Sequence, residues 1–424
     1  MSSFPLSAQS TGSIQGTILD ETTQQPIIGA NVIIPETIRG AATDLDGKFM
    51  IERLPVGTYL LRVDYVGYSS RTVSDIVVKS SHPTQVNINL QESVLELEAA
   101  IVVADYFTRN QDTPASTQVQ SSEEIRRLPG GFEDVVRAIS ILPGVGQAEA
   151  GRNDLIVRGG APSENLYIID NIEVPNINHF GTQGASGGPQ SFINLDFVDE
   201  TSFSTGGFTA KYGDRLSSVL DISLREGLDD QVVSKTTISA SQFGFNLEGG
   251  LPQDGNFLFS ARRSYLDFIF KAAGFGFVPE YWDFLGKASF KLNQTDQLTF
   301  LGIAALNNVK WFNDTQEQRN SNSQILGSDQ QQIVAGVSYQ HLLNSGLVTM
   351  ALSQVNVDYD FSQKDANLQP IFKNVSYDRQ TTLKADGVWR LNRNLRLSSG
   401  VKLNRIDFYS EMVLNQTDVP GIGT

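Results

Sequence analysis

Residues 286–292 read Gly286-Lys287-Ala288-Ser289-Phe290-Lys291-Leu292, with small or apolar residues at the even positions and polar residues at the odd ones. This period of two is typical of a β-strand that has one apolar face and one polar face. The same alternation recurs at 243–248, 298–304 and 397–403. A β-barrel in lipid with a wet interior requires this arrangement, so the pattern predicts transmembrane strands.

The connections between these strands alternate in length. Short joins at 252–255, 293–296, 343–346 and 392–394 alternate with long ones near 271–283, 307–329 and 362–374. Bacterial outer-membrane barrels have short periplasmic turns and long outer loops, so the pattern indicates orientation as well as class. Residues 229–424 are therefore predicted to form the first part of an antiparallel transmembrane β-barrel. The alternation slips between Leu352 and Val355, which predicts a β-bulge there.

Composition excludes several functions. The chain of 424 residues carries 32 Lys and Arg against 47 Asp and Glu, a net charge of -15, and has no cysteine. Nucleic-acid binding needs clustered cations, and cysteine chemistry needs thiols. The histidines His82, His179 and His341 are far apart, and we predict that each lies in a turn or at the surface. We therefore predict no enzymatic activity, no catalytic or metal site and no cofactor.

Residues 106–228 mix helix and strand signals. Ser121 or Ser122 can cap a helix that opens with two glutamates. A second helix is predicted from Phe132 to Ile141, ended by Pro143-Gly144. Strands are predicted at 155–158, 166–169, 198–205 and 217–224. The Gly-rich loop at 176–190 is expected to be long and mobile, which makes it a candidate ligand or gating element.

Four pieces of this region resemble, in order, the plug domain of TonB-dependent outer-membrane receptors. They are Leu142-Pro143-Gly144-Val145, Ile156-Val157-Arg158-Gly159-Gly160, Asn165-Leu166-Tyr167-Ile168-Ile169-Asp170-Asn171-Ile172 and Gly206-Gly207-Phe208-Thr209-Ala210-Lys211-Tyr212-Gly213-Asp214-Arg215. The plug motif residues are Pro143, Gly144, Val145, Arg158, Gly159, Gly160, Asp170, Tyr212 and Gly213. The resemblance implies that Arg158 joins the charged contact between plug and barrel wall. A surface arginine is the alternative.

Residues 12–91 contain short apolar runs at ~10–12-residue spacing, which predicts a small β-sandwich. Three stretches resemble the carboxypeptidase-regulatory-like domain of outer-membrane receptors. They are Gly16-Thr17-Ile18, Pro26-Ile27-Ile28-Gly29-Ala30-Asn31-Val32 and Thr43-Asp44-Leu45-Asp46-Gly47-Lys48-Phe49. No zinc ligand set accompanies these residues, so peptidase activity is not implied. Residues 1–11 read as a signal-peptide remnant or a disordered start.

A β-prone linker, residues 92–105, joins the sandwich to the plug. An isolated strand has a free hydrogen-bonding edge that a partner can capture by β-augmentation. The position before the plug resembles the TonB box, which implies that the partner is TonB, the energy-transducing protein of the inner membrane. The residues assigned to this contact are Leu97, Glu98, Ala99, Ala100, Ile101, Val102 and Val103. A linker or a sandwich edge strand is the alternative.

The predicted fold is mainly β, with a small β-sandwich, an α+β plug domain and a partial antiparallel transmembrane β-barrel. The resemblance implies TonB-dependent import of a scarce ligand, such as a siderophore, cobalamin, oligosaccharide or peptide. It places the chain in the cell outer membrane with the sandwich in the periplasm. Outer-membrane lipid and a surface lipoprotein are the further expected partners.

Two other expectations accompany this prediction. Residues 229–424 hold too few strands to enclose a plug, so the chain is expected to be an N-terminal fragment with an incomplete barrel. The alternative function is a surface protein that captures a glycan or another ligand, or adheres, without transport.

Overall fold

A computed structural model describes residues 11–35, 37–80, 83–92, 116–131, 133–149, 152–184, 187–229, 231–239, 242–265, 270, 273–392 and 395–415. These residues fall into two compact units. The first holds the residues up to 92 together with 341–348 and 386–399. The second holds 116–340, 349–385 and the residues from 400 onward.

The N-terminal part of the first unit is a β-sandwich. Its strands are β1 (Thr11–Asp20), β2 (Asn31–Ile33), β3 (Gly40–Ala42), β4 (Lys48–Pro55), β5 (Gly57–Asp64), β6 (Arg71–Val78), β7 (Thr84–Gln85) and β8 (Ile88–Leu90). One sheet has the order β4-β1-β7 with β8 also paired to β1, and the other has the order β3-β2-β5-β6. Fully buried side chains from both sheets, including Ile14, Val32 and Leu61, form the core between them. The predicted sandwich is confirmed.

The plug domain follows, and its strands and helices belong to the second unit. They are β9 (Thr117–Ser121), α1 (Ser122–Arg127), α2 (Val135–Ser140), β10 (Val145–Gln147), β11 (Leu155–Val157), β12 (Asn165–Ile169), β13 (Ile172–Val174), β14 (Asn178–His179), β15 (Gln190–Ser191), β16 (Val198–Ser204) and β17 (Ser218–Leu224). The central sheet has the order β13-β12-β17-β16-β9, and β12 and β17 are parallel.

Both plug helices begin at side-chain caps. Ser121, one of the two predicted caps, forms a capping box with Glu124 at the start of α1. The Asp134 carboxylate accepts hydrogen bonds from the backbone amides of Val136 and Arg137 at the start of α2. This second helix is shorter than predicted, mainly because Asp134 is its cap, so that it begins at Val135 and not at Phe132.

The C-terminal part is one large sheet, which we call the wall. Its strands are β18 (Val233–Ile238), β19 (Gln242–Leu251), β20 (Gly255–Ser264), β21 (Phe277–Lys291), β22 (Asp296–Trp311), β23 (Gly327–Leu343), β24 (Gly346–Lys364), β25 (Pro370–Asn392) and β26 (Leu395–Leu414). They pair in chain order, and the registers from β18 to β22 are antiparallel. The connection between β22 and β23 carries helix α3 (Gln316–Asn322).

The two faces of the wall differ in polarity. Large apolar side chains are exposed on one face, among them Phe259, Trp282, Phe300 and Leu352. Buried polar side chains occupy the other face, among them Arg262, Asp283, Lys287, Asn307 and Gln332. The predicted barrel pattern, apolar outward and polar inward, is confirmed.

The predicted bulge between Leu352 and Val355 is wrong. Burial alternates without a break from Ala351 to Tyr359, with every odd residue buried. Val355, Val357 and Tyr359 point inward and belong to the same hydrophobic core as the plug. The inward residues change from polar to apolar there because they pack on apolar residues of the plug.

Connection lengths follow the predicted alternation only in part. The joins at 252–254, 292–295, 344–345 and 393–394 are short, and those at 265–276 and 312–326 are long. The connection between β24 and β25 spans only residues 365–369, because both strands extend beyond their predicted ends.

Candidate functional site

Seven of the nine plug motif residues lie in three contacts, of which the first joins two motif pieces. Val145 pairs with Val157 in the two-stranded β10–β11 sheet. The Gly144 carbonyl, on a residue with φ of +80°, accepts the Arg158 amide at 2.8 Å. Arg158 and Gly159 follow with φ of 50° and 82°, in the left-handed region that favours glycine at the second position. The structure therefore places Pro143-Gly144-Val145 beside Arg158-Gly159-Gly160.

In the second contact, Gly160 packs against Ser217, just before the start of β17. A Cβ at this position would overlap the Ser217 hydroxyl and lie 2.6 Å from a carboxylate oxygen of Glu164. Ser217 donates to that same carboxylate at 2.5 Å. The Gly159-Gly160 pair thus combines one position that needs a left-handed backbone with one that has no room for a side chain.

The third contact is made by the turn between β12 and β13. Asp170 and Asn171 have φ of 45° and 68°, a left-handed turn conformation that aspartate and asparagine adopt more readily than most residues. The Asp170 carboxylate accepts the Leu224 amide at 2.7 Å. Its second oxygen lies 3.0 Å from Nζ of Lys287 on the wall.

Lys287 is buried and surrounded by acceptors. Its ammonium donates to the Leu224 carbonyl at 2.8 Å and lies 3.2 Å from Glu226. Burial raises the pKa of Asp170, and the Lys287 ammonium opposes that rise. Lys287 therefore holds the Asp170 and Glu226 carboxylates of the plug against strand β21.

The same plug hairpin reaches two more wall strands. Lys384 on β25 donates to the Asn171 side chain at 2.8 Å. Lys402 on β26 pairs with Glu173 at 2.9 Å. One short plug turn is therefore linked by lysines to three wall strands.

Tyr212 and Gly213 lie on the other side of the plug sheet. The Tyr212 hydroxyl donates to Asp221 at 3.0 Å, and its ring packs on a small cluster of Leu166, Ile168 and Val219. The space around Gly213 is open within 4 Å of an added Cβ. These residues stabilise the plug internally.

Asp196 forms a second link between plug and wall. Its carboxylate accepts from Arg126 of α1 at 2.5 Å, from Lys235 of β18 at 2.7 Å and from Asn246 of β19 at 2.6 Å. Burial raises the pKa of Asp196, but Arg126 and Lys235 lower it by more, so that the pKa lies below its ordinary value. Close by, Arg225 makes a bidentate pair with Glu248 of the wall at 2.6 and 2.8 Å.

His179 forms a third link, and the prediction of a turn or surface position for it is wrong. The side chain is 1% exposed and stacks on Tyr281 with ring centroids 4.0 Å apart. Its Nδ1 lies 2.7 Å from the Asn307 side chain and its Nε2 lies 3.1 Å from Asp283. Asp283 in turn accepts from Arg262 at 2.7 Å. These contacts anchor the loop at 176–190 to the wall, and the β14–β15 pair joins the two ends of the loop.

Arg158 is exposed, and its guanidinium lies against Gly206 of the plug. Among the described residues, the plug side chains that pair with charged wall residues are Asp170, Glu173, His179, Asp196, Asp214, Arg225 and Glu226. The predicted role of Arg158 stays a prediction. The TonB-binding residues Leu97 to Val103 lie outside the described residues.

Sequence reasoning missed Lys287, Asp196, His179 and Arg225 as site residues. A signal for Lys287 was present, because the alternation of β21 places this charge on the inward face. Nothing local marked the others, since their partners are 23 to 128 residues away.

Two observations concern other kinds of site. In the part of the chain that the structure describes, His, Asp and Glu side chains nowhere gather into a group that could hold a metal ion. Within the same ranges, no helix has the length and apolar character needed to cross a membrane.

Comparison with known proteins identifies the two N-terminal domains. Residues 14–102 match the family model of the CarboxypepD_reg-like domain, and residues 109–218 match that of the TonB-dependent receptor plug domain. The TonB-dependent transporter Oar of Myxococcus xanthus is 26% identical over 236 residues, which cover 53% of this chain and 21% of Oar. The chain therefore contains the plug domain of TonB-dependent receptors and is similar to such receptors over about half of its length. Its plug domain and these similarities place the chain in the outer membrane.

Further relatives agree. The TonB-dependent receptor SusC of Bacteroides thetaiotaomicron is 25% identical over 227 residues, covering 51% of this chain and 21% of SusC. The siderophore receptor PirA from Acinetobacter baumannii has a similar fold, with a TM-score of 0.53 at 14% identity over 69% of this chain and 48% of PirA. The matched region spans about a fifth of the length of these curated relatives.

Proposed function

We propose that this chain takes part in TonB-dependent uptake of a scarce ligand, such as a siderophore, cobalamin, oligosaccharide or peptide, across the outer membrane. The observation that carries the proposal is a plug domain tied by buried ion pairs to the polar face of a sheet whose other face is apolar. A plug held in this way closes a passage until energy is supplied to move it.

The energy enters through the segment at 97–103, which TonB captures by β-augmentation. This segment lies between the sandwich and β9, the first described strand of the plug. A pull on it is transmitted to β9 at the edge of the plug sheet and then to α1, whose Arg126 contacts Asp196. The sandwich lies in the periplasm, where it precedes this segment.

Binding of TonB tests the proposal. The variant Ile101→Pro removes a backbone donor from the strand, whereas Asn110→Pro makes the same change outside the proposed segment. We expect purified full chain with I101P to bind the periplasmic domain of TonB at least tenfold more weakly than wild type, and N110P to bind it normally. Equal binding by wild type and I101P would overturn the proposal and favour ligand capture without transport.

A further inference from the structure

The plug contacts two sides of the wall in different ways. On strands β19 to β22 the inward polar side chains have partners on the plug: Arg225 with Glu248, Lys287 with Asp170, and His179 with Asp283 and Asn307. Asn194 of the plug also donates to Ser260 of β20 at 2.8 Å. We call this side the paired side.

The side facing β23 and β25 differs. Gln330 and Gln332 on β23 are 4% and 2% exposed and point inward. Within the described ranges, the Oε1 of Gln332 and the hydroxyl of Ser328 have no hydrogen-bond partner, and the amide of Gln330 has none on the plug. Within the same ranges, Nε2 of Gln183 on the plug has no hydrogen-bond partner either. We call this side the carboxamide side.

Two neutral hydrogen bonds cross the carboxamide side in the first halves of β23 and β25, whereas the charged link from Lys384 to Asn171 lies in the second half of β25. Nε2 of Gln332 donates to the Asn176 carbonyl at 2.9 Å, and the Ser376 hydroxyl donates to Gln183 at 3.0 Å. The Tyr359 side chain lies beside Gln330 and near Asp378. Neutral hydrogen bonds are weaker than the charged, bidentate contacts of the paired side.

The two sides therefore respond differently to separation of plug and wall. Opening the paired side leaves buried charges without partners, which is costly in a low-dielectric interior. Opening the carboxamide side admits water to amide and hydroxyl groups whose hydrogen-bonding capacity is unused. Within the described residues, the paired side also has atoms without a hydrogen-bond partner, namely Nη2 of Arg262 and one carboxylate oxygen each of Asp170 and Glu226. These groups still have charged partners, because Arg262 donates to Asp283 and both carboxylates lie within 3.2 Å of the Lys287 ammonium.

We propose that the passage opens along the carboxamide side while the paired side keeps the plug on the wall. Its amide and hydroxyl lining suits a hydrophilic solute that exchanges hydrogen bonds with water for hydrogen bonds with Gln330, Gln332 and Gln183. This inference rests on the proposed function, since TonB supplies the opening.

Single cysteines test it, because the chain has none of its own. The variants are Gln332→Cys and Gln330→Cys on the carboxamide side and Ser260→Cys on the paired side, where Ser260 is also buried and in contact with the plug. The probe is the water-soluble thiol reagent MTSET, applied to cells that express the receptor with TonB present or deleted. Labelling after denaturation measures the total cysteine in each variant.

We expect TonB to speed the labelling of Q332C and Q330C at least tenfold, and that of S260C by less than twofold. Acceleration of S260C equal to or above that of the glutamine positions would overturn the inference and leave the proposed function standing. An absence of any TonB effect at all three positions would overturn both.

Discussion

The carboxylate of Asp170 lies 3.0 Å from the ammonium of Lys287, which joins a plug turn to wall strand β21 through a buried ion pair. The motif Tyr167-Ile168-Ile169-Asp170-Asn171 is a recognisable feature of the plug sequence, and this pair shows what its acidic residue does. It fixes the β12–β13 turn on the barrel strands, where Lys287 also contacts Glu226 and the Leu224 carbonyl.

Removing the lysine is expected to loosen the plug. Lys287→Met leaves Asp170 and Glu226 without their cation in a buried site, so we expect a loss of about 3 kcal/mol in the free energy of plug unfolding. The urea dependence of hydrogen exchange in the plug amides measures it. The control is Lys310→Met, which removes an exposed pair with Glu280 and is expected to cost under about 1 kcal/mol. Equal losses for the two variants would contradict the account of Lys287.

The two glycines of the plug motif should respond differently to alanine. Gly160→Ala places a methyl group against Ser217 and Glu164, so we expect a loss of about 1–3 kcal/mol. Gly213→Ala meets open space and is expected to change the same free energy by under about 0.5 kcal/mol. Thermal unfolding of the purified variants compares them, and a G213A loss as large as that of G160A would contradict the packing described for Gly160.

Two arginines of the plug should also differ. Arg225→Ala leaves the buried Glu248 unpaired, and we expect it to cost about 3–5 kcal/mol. Arg158→Ala is expected to cost under about 0.5 kcal/mol, because the side chain is exposed. The urea dependence of hydrogen exchange in the plug amides measures the loss of unfolding free energy in both variants. A large loss with R158A would instead support the charged wall contact that the sequence predicted for this residue.

The Asp196 link should depend on pH. Because the pKa of this carboxyl is lower in the folded protein than in the unfolded chain, its contribution is present above the unfolded value of about 3.9 and is lost as the pH falls through the folded pKa. We expect the difference in unfolding free energy between wild type and Asp196→Asn to be constant near neutral pH and to shrink below about pH 4. Urea titrations at a series of pH values measure it, and a difference that stays constant down to pH 2 would contradict this role.

Much of the architecture could be predicted because it follows from local patterns in the sequence. The period of two located the wall strands, Ser121 marked the start of α1, and the turn residues bounded the plug strands. Where prediction failed, distant residues were responsible. Val355 and Val357 broke the polarity pattern because they pack on the plug core, which no local rule anticipates.

The links between plug and wall could be predicted least. His179 meets Asp283 and Asn307 only after the plug has docked, across 104 and 128 residues of chain. An isolated histidine in a Gly-rich stretch gives no local sign of such burial. The charged residue at an inward strand position, as at Lys287, is the signal that sequence reasoning could have used.

The central claim is that TonB pairs with residues 97–103 as an added strand, and cysteine cross-linking in cells tests it most directly. Each of Leu97, Glu98, Ala99, Ala100, Ile101, Val102 and Val103 is replaced in turn by cysteine and combined with one cysteine in the periplasmic domain of TonB. Strand addition predicts disulfide yields that alternate with a period of two along the segment, because successive side chains point to opposite faces. Uniformly low yields, or yields that do not alternate along the segment, would contradict the claim.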